Sequence, residues 1–520
     1  MIWPCNPPDT SDLVHPHEER AILEIQKSDL YHYVAQFCGD LLKNTAILPK
    51  MRLSGFPVTE SSSPRAYRCY QKALQHLNCR EEYPLFVDFG YELTAKTLGS
   101  DENGYVIVVN SACIDQLNDD ELTAFLGGEI GHARLGHSQN RALLDNMEVI
   151  TKRLPVAGDL VKDNLEGFFA YWMIASEYSA DRAALFASES LEAVISLRKQ
   201  QMGLKVFSTD NILEQAQTSV PDKLGMYYVM MAKDIPAPGA VDRIQELHRW
   251  IQTPEFRNKF PCLYYKLCLE NSELVPSEDQ SIYKLHQRAI EGDADSLAKL
   301  GESYLLGKGD LGQIPISGIA FLKEAALRGN ARALFLVGTC LETGVPDGRK
   351  KSDEASWLYR AAASRGDHQA AARTGELDCE KMPQVIVDAC RYTAKSALDL
   401  PRGYWNALSG EEPDQSSLRE AMNWFWIPVN ETLIAAELHK TSQGYTGLVL
   451  TGYGIYGSCI PGNIPLFISW ERYREKPLTQ RSQDDGNYLC CGDQKFYLCQ
   501  ETIKGTLTEL LLRIKAALEA

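Results

Sequence analysis

The chain has 520 residues, so we expect three or four domains, because one domain typically holds about 150 residues. A hydrophobic content of 44% and a charged content of 23% are typical of a globular protein. The formal net charge of −16 argues against binding to nucleic acid, whose phosphates require a basic surface.

The cysteines and the apolar runs bear on the cellular compartment. Fourteen scattered cysteines without a CxxC pair indicate reduced thiols rather than a disulfide scaffold. The first residues lack the basic and apolar regions of a signal peptide, and no run of about 20 apolar residues could span a membrane. We therefore expect a soluble, cytoplasmic protein without a transmembrane segment.

The first hundred residues predict a mixture of helices and strands. Residues 1–20 are rich in Pro and Asp, and we expect an irregular lead-in. Apolar residues at helical spacing predict helices over 21–47 and 65–78. Two β-rich runs bounded by turn residues, 83–89 and 104–110, predict strands.

The stretch 118–139 predicts a helix with a well-defined beginning. Asn118 can cap this helix, and Glu121 follows three residues later, which is the spacing of a capping box. Helical periodicity continues over 141–153 and again over 160–187.

The helix over 118–139 contains most of a zinc-protease motif, Gly128-Glu-Ile-Gly-His132. In the full motif, H-E-x-x-H, two histidines one turn apart bind one zinc ion and the glutamate is a general base. Gly128 stands where the first histidine should be. On the later helix, Glu177 and Asp181 are four residues apart and share a face. Glu177 is a candidate metal ligand, and Asp181 could orient a ligand histidine from the second shell.

From residue 281 the sequence repeats itself every 37 residues. The period is marked by Gly292-Asp293, Gly329-Asn330 and Gly366-Asp367. A fixed period of this length predicts stacked helical hairpins over 281–380. The run Leu300-Gly-Glu-Ser-Tyr304-Leu-Leu-Gly307-Lys-Gly309 resembles the Sel-one-like repeats, relatives of the tetratricopeptide type. We expect a protein partner to bind through this array.

The last part of the chain changes from helical to β-rich. Residues 385–430 predict a helical connector, and 431–520 predict several short strands closed by a helix from about 504 to 518. The run Leu450-Thr-Gly-Tyr-Gly-Ile-Tyr456, followed by Ile468-Ser-Trp470, resembles the pleckstrin-homology-like domains of bacterial proteins.

The ordered motifs between residues 20 and 265 resemble the gluzincin metallopeptidases that include HtpX and the CAAX prenyl protease, in their soluble, minigluzincin-like branch. The motifs are Tyr83-Pro-Leu-Phe-Val, Ala95-Lys-Thr-Leu-Gly99, Val106-Ile-Val-Val-Asn-Ser111, Asp119-Asp-Glu-Leu122, Gly128-Glu-Ile-Gly-His132, Leu135-Gly-His137 and Ser176-Glu-Tyr-Ser-Ala-Asp181. The resemblance implies one zinc ion bound by His132 and Glu177, with Glu129 as the general base. It also implies that an extended peptide pairs with an edge strand, which we assign to Val106, Ile107, Val108 and Val109.

The predicted fold is therefore multidomain and mainly α. An α+β zincin-like metallopeptidase domain covers 21–270, an α-α helical repeat array covers 281–380, and a small C-terminal β-rich domain closed by a helix covers 431–520.

The missing histidine at position 128 leaves the activity open. His137 lies five residues after His132, about 140° further round a continuous helix, so we expect it to point away from the metal position. A catalytic zinc ion needs three protein ligands, and only two remain. One hypothesis is a weakly active or inactive protein that binds peptides or proteins. A second is an active zinc endopeptidase with an incomplete or externally completed site. A third is an interaction scaffold based on the repeats.

Overall fold

The structure is a computed structural model. It describes residues 5–27, 55–100, 104–138, 140–141, 158–203, 239–271, 274–275, 280–308, 311–374, 404–406, 415–431, 433–441, 444–457, 465–476, 478–483, 486–491, 494–498 and 504–519. The chain forms two compact units, one containing Cys5–Pro276 and the other containing Ser277–Ala520. Each unit is described by itself.

Residues 5–9 are irregular but the chain is mostly helical from Thr10, so the prediction of an irregular lead-in over residues 1–20 is wrong for residues 10–20. This segment forms helices α1 (Thr10–Leu13) and α2 (Pro16–Gln26). Pro16 occupies the first turn of α2, where its missing N–H costs no hydrogen bond, and the His15 side chain accepts from the backbone of His17. The packing of Leu13, Ala21 and Ile25, which are all buried, holds these helices in the core. The rest of the helix predicted over 21–47 lies outside the described residues.

The first unit contains a four-stranded sheet. Its strands are β1 (Phe56–Pro57), β2 (Leu85–Asp88), β3 (Ala95–Ser100) and β4 (Gly104–Asn110). The spatial order is β1-β2-β4-β3; β2 and β4 are parallel and the other two pairs are antiparallel. The strands predicted over 83–89 and 104–110 are confirmed, whereas β3 was not predicted as a strand.

Eight further helices belong to the described part of the first unit. They are α3 (Pro64–His76), α4 (Ser111–Gln116), α5 (Asp119–Arg134), α6 (Gly158–Ser188), α7 (Leu191–Gln201), α8 (Ala240–Ile251), α9 (Pro254–Lys259) and α10 (Pro261–Glu270). The predicted helices over 65–78, 118–139 and 160–187 correspond to α3, α5 and α6, although α5 ends five residues earlier than predicted. Apart from Arg141, the helix predicted over 141–153 lies outside the described residues.

The second unit begins with helical hairpins that keep the 37-residue period. Its helices are α11 (Gln280–Ile290), α12 (Ala294–Leu306), α13 (Pro315–Leu327), α14 (Ala331–Thr343), α15 (Ser352–Ser364) and α16 (His368–Thr374). Gly292, Gly329 and Gly366 all have a positive φ, so each period has the same left-handed turn. The side chains of Asp293 and Asn330 cap the helices that follow.

The C-terminal region consists of antiparallel strands and helices. The helices are α17 (Gln415–Trp424), α18 (Trp470–Glu475) and α19 (Lys504–Glu519). One sheet has β5 (Tyr404–Asn406), β6 (Leu433–Thr441), β7 (Gly444–Thr451), β8 (Gly454–Gly457) and β9 (Leu466–Ser469) in sequence order; a second has β10 (Leu478–Gln483), β11 (Gly486–Cys491) and β12 (Gln494–Leu498). Leu510, Leu511 and Ile514 of α19 pack into the buried core of these strands. A β-rich region closed by a helix was predicted.

The prediction of a helical connector over 385–430 is wrong in part. Helix α17 lies there, but Tyr404–Asn406 is a strand that pairs antiparallel with β6, and it therefore belongs to the C-terminal sheet. Residues 375–403 and 407–414 are outside the described part. Among the described helices of the whole chain, none has the length and apolar character needed to cross a bilayer.

Candidate functional site

Helix α5 begins at the predicted capping box. The Asn118 side chain accepts a hydrogen bond from the Glu121 backbone N–H at 2.9 Å. In return, the Glu121 carboxylate accepts from the Asn118 backbone N–H, also at 2.9 Å. These two reciprocal bonds satisfy amide groups that would otherwise lack a helical partner, and they fix where the helix starts.

Two glycines allow α5 to lie directly against α6. A Cβ atom on Gly127 would lie 2.2 Å from Ala187 Cβ, and a Cβ atom on Gly131 would lie 2.6 Å from Ala183 Cβ. Neither separation is compatible with a side chain unless the helices move apart. The close approach of the helices places the motif of α5 opposite the later motif of α6.

Gly128 has more space around it than Gly127 and Gly131 have. A Cβ atom at this position would lie 3.6 Å from the Ala180 carbonyl oxygen and 4.0 Å from Ala184 Cβ, which are ordinary contacts. Helix packing therefore does not require glycine here. The absence of the first ligand histidine is independent of the close packing of α5 and α6.

The structure brings together three of the predicted site residues. The buried His132 has its Nε2 3.6 Å from Oε1 of Glu177. Glu129 lies one turn before His132, and its carboxylate accepts a hydrogen bond from Thr97 Oγ1 on β3 at 2.8 Å. Burial raises the pKa of Glu129, and the negative charge of Glu177 adds to this effect.

Two arginines that the sequence analysis did not identify bind the carboxylate of Glu177. Nη2 of Arg141 donates a very short hydrogen bond to Oε1 of Glu177 and lies 3.5 Å from His132 Nε2. Nη1 of Arg243 lies 2.7 Å from the other carboxylate oxygen, Oε2. Burial alone would raise the pKa of Glu177, but Arg243, then His132 and Arg141, hold that pKa well below its ordinary value. Burial, followed by the charge of Arg141, lowers the pKa of His132 well below its ordinary value.

The residues present do not fit a catalytic zinc ion. Such an ion takes three protein ligands and a water molecule, and His132 with Glu177 supplies two. No group of three or more His, Cys, Asp or Glu side chains that could hold a metal occurs in the described part of the chain. In addition, Arg141 Nη2, a protonated nitrogen without a lone pair, contacts both candidate ligands.

Asp181 does not orient a ligand histidine, which corrects its predicted second-shell role. Its Oδ1 accepts from Arg198 Nε at 2.9 Å and from Arg243 Nη2 at 2.8 Å, while its Oδ2 accepts from Arg243 Nε at 2.6 Å. The physical reason is that α7 and α8 each bring a buried arginine to this carboxylate. Arg243 thereby links Asp181 to Glu177.

His137 contacts His132 through Nδ1, not through the Nε2 that faces Glu177, so it does not face the metal position; the contact itself was not predicted. The two Nδ1 atoms are 2.7 Å apart. The prediction assumed a continuous helix, but α5 ends at Arg134, and Gly136 turns the chain with a φ of 69°. On its other side, His137 Nε2 lies 2.8 Å from Glu18 Oε1 of helix α2.

The N-terminal helix α2 therefore reaches the site through a buried chain of polar groups. Besides contacting His137, the Glu18 carboxylate accepts a short hydrogen bond from Ser179 Oγ on α6. Ser179 Oγ in turn accepts from the backbone N–H of His15 at 2.8 Å. The second ring nitrogen of His132, which Asp181 was expected to hold, thus contacts His137, whose other ring nitrogen lies near Glu18.

The strand predicted as the peptide-binding edge is internal. Strand β4, which contains Val106, Ile107, Val108 and Val109, pairs with β2 on one side and β3 on the other. Both of its hydrogen-bonding edges are therefore occupied. Among the described strands, the edge on this side of the sheet is β3 (Ala95–Ser100).

Sequence reasoning missed Glu18, Arg141 and Arg243. Pro16 at the first turn of α2 is a recognised signal of a helix start and could have placed Glu18 on a helix. No local pattern links Arg243 to Glu177, because the contact joins residues 66 positions apart on different helices.

Comparisons with known proteins agree with the motif assignment. Residues 90–251 match the family model described as Peptidase family M48. The chain is also 23% identical over 261 residues to "Plastoglobule-localized metallopeptidase 48, chloroplastic" of Arabidopsis thaliana, a match that covers 48% of this chain and 75% of that protein. No solved structure matches the chain significantly. The two matches support a metallopeptidase-family domain in the first unit.

Proposed function

We propose that this chain is a metallopeptidase-family protein with a degenerate metal site, which is weakly active or inactive as a protease and acts by binding peptides or proteins. The observation that carries the proposal is the two-member ligand set. Gly128 presents no side chain, and His132 and Glu177 are the ligands that remain. Two protein ligands leave a catalytic zinc ion one short, so its affinity falls steeply.

The geometry of β3 supports peptide binding beside this site. The Asn110 backbone N–H donates to the Thr94 carbonyl across the β3–β4 pair, so by strand alternation the N–H and C=O groups of Ala95 and Thr97 point away from β4. Within the described residues, these outward groups have no backbone partner. Ala95 is partly exposed and Thr97 is buried, so an extended peptide can pair with the outward groups of Ala95 as an added strand, near Glu129, which Thr97 contacts.

Two observations support the alternative of an active zinc endopeptidase. Glu129 and His132 retain the spacing of general base and ligand in the family motif, and residues 90–251 match the M48 family model. In this alternative a group from outside the chain completes the metal site, and Glu129 accepts a proton from the attacking water.

The second unit is proposed as a further protein-binding region. Its hairpins repeat with equivalent turns at Gly292, Gly329 and Gly366, as expected of Sel-one-like arrays that bind partners on stacked helices. The C-terminal strands closed by α19 suit the pleckstrin-homology-like assignment. On this reading the chain is an interaction scaffold with a peptide-binding first unit. A cytoplasmic location remains a prediction from the scattered cysteines.

The test uses the full chain with fluorescein-labelled β-casein as an extended probe. We expect binding without cleavage, less than one zinc per ten chains by elemental analysis, and slower amide exchange of residues 95–99 when the probe is bound. About one zinc per chain, lost in both His132→Ala and Glu177→Ala, would overturn the proposal. So would casein cleavage that Glu129→Gln abolishes, which is the result expected for the active endopeptidase.

A further inference from the structure

We propose that Arg141 is the resident cation of the degenerate site: its guanidinium occupies the side of His132 and Glu177 on which a metal would bind, and it excludes divalent metals. The inference rests on the proposed function and deepens it. It follows that restoring the missing histidine alone gives only weak metal binding. Removal of Arg141 is needed as well for tight binding.

The contacts place one nitrogen of Arg141 next to the metal position. His132 Nε2 and Glu177 Oε1 are 3.6 Å apart, so an ion at the usual zinc distance of about 2.0–2.2 Å from both atoms would lie between them. Nη2 of Arg141 donates to that same carboxylate oxygen and lies 3.5 Å from the same ring nitrogen. A zinc ion and this nitrogen would be neighbours with like charge and no ligand bond, because guanidinium has no lone pair to offer.

The charge of Glu177 is already balanced without a metal. Arg141 binds one carboxylate oxygen, and Arg243 lies 2.7 Å from the other. Glu177 is only 17% exposed in its side chain, so water does little to screen these attractions. A metal entering the site must displace a cation from Glu177 before it gains a ligand.

Of the two arginines, Arg141 is the one that can be removed. Arg243 also binds Asp181 and is 9% exposed in its side chain, so it belongs to the core. Arg141 is 30% exposed, and its interactions are with His132 and Glu177. Gly128 leaves room for the Cβ atom of a new side chain. Gly128→His therefore adds a side chain to the site, and Arg141→Ala removes a cation from a different position in the same site.

The experiment compares metal binding by the full-length wild-type chain, Gly128→His, Arg141→Ala and the double variant. Cobalt(II) is titrated into each, with the visible absorption of tetrahedral cobalt as the readout, and zinc affinity follows by competition with a chromophoric chelator. We expect one site per chain in the double variant, about 10–100-fold tighter than in Gly128→His, the size of effect seen when groups around metal ligands change. Arg328→Ala combined with Gly128→His is the matched control, because Arg328 is similarly exposed at 33% and pairs with Glu324 in the other unit.

The outcomes distinguish a failure of this inference from a failure of the proposed function. If Gly128→His binds cobalt as tightly as the double variant, Arg141 does not exclude metal and this inference fails, while the proposed function stands. The inference also fails if the double variant, shown to be folded by circular dichroism, gains no cobalt site. If the double variant does not fold, Arg141→Ala must by itself bind cobalt at least 10-fold more tightly than the wild type. One zinc per wild-type chain, lost in His132→Ala, overturns the inference together with the proposed function.

Discussion

His132 and His137 are joined through their Nδ1 atoms, which lie 2.7 Å apart in the buried core of the first unit. We infer which nitrogens carry protons from the groups on either side of this contact. An ionised Glu18 carboxylate can only accept, so we place a proton on His137 Nε2, which lies 2.8 Å from Glu18 Oε1. His137 Nδ1 then accepts from His132 Nδ1, and His132 is left with a bare Nε2 that faces Arg141. A residue of helix α2 thus sets the tautomer of a residue on α5.

The first prediction concerns Glu18, which is the last group in this series of polar contacts. In Glu18→Ala, the buried His137 ring loses its acceptor, and leaving a buried donor unpaired costs about 1–3 kcal/mol. We expect a loss of that size in the free energy of urea unfolding. We also expect changed ¹⁵N shifts of the His132 ring, because its tautomer is no longer fixed. Glu24→Ala is the control: Glu24 lies on the same helix but is exposed and pairs with Lys27. Unchanged His132 ring shifts in Glu18→Ala would contradict the tautomer assignment.

The second prediction compares alanine substitutions at three glycines of α5. Alanine at Gly127 or Gly131 would force its Cβ within 2.2 or 2.6 Å of an alanine Cβ on α6, so we expect a loss of about 1–3 kcal/mol from overpacking. Alanine at Gly128 meets only ordinary contacts, and we expect it to stabilise α5 by about 0.5–1 kcal/mol through helix propensity.

Hydrogen exchange of the α5 and α6 amides, followed by mass spectrometry, measures these local stabilities. Gly128→Ala serves as the matched control for the other two variants, since all three add the same methyl group to the same helix. Equal exchange rates in the three variants would contradict the helix separation described here.

The accuracy of the sequence predictions follows from the range of the interactions behind them. The capping box of Asn118 and Glu121 is local, and so was predicted correctly. The proximity of Glu177 to His132 was predicted from a family motif and not from the spacing of residues along the sequence. The contact of His137 with His132 was not predicted because Gly136 ends the helical geometry on which the 140° estimate depended. The edge strand was misassigned because strand order depends on pairing between distant segments. The periodicity of the sequence carries no information about this pairing.

The third prediction concerns the buried arginine pair around Asp181. The side chains of Arg198 and Arg243 are 8% and 9% exposed, and both donate to this carboxylate. Asp181→Ala leaves two buried cations without their shared anion, and we expect a loss of about 3–5 kcal/mol in the free energy of unfolding. The midpoint of urea unfolding measures it. Asp120→Ala, which removes a 62% exposed carboxylate paired with Lys72, should change stability by less than about 1 kcal/mol. Similar losses in the two variants would show that the Asp181 cluster is not a buried ion network.

The fourth prediction concerns pH and the helical hairpins of the second unit. His286 on α11 is fully buried; its Nδ1 contacts the Ile282 carbonyl at 2.9 Å and its Nε2 contacts Tyr304 OH at 2.8 Å. Burial lowers the pKa of His286 from its ordinary 6.5 to about 4. Above pH 6.5 the ring is neutral in both the folded and the unfolded chain, so its contribution to the free energy of unfolding does not change with pH there. Between pH 6.5 and 4 the unfolded chain takes up a proton that the folded chain does not, so stability falls as the pH falls.

The full loss across that window is roughly 3 kcal/mol, since each unit of pKa difference contributes about 1.4 kcal/mol. We expect urea unfolding of the full chain at pH 7 and pH 5 to show a smaller decrease in stability for His286→Gln than for the wild type. The difference between the two decreases should be about 2 kcal/mol. His368→Gln removes an exposed histidine of the same unit and should leave the wild-type decrease unchanged. If His286→Gln and wild type lose equal stability between pH 7 and pH 5, the buried ring is protonated in the folded hairpins, and its contacts with Ile282 and Tyr304 must rearrange on acidification.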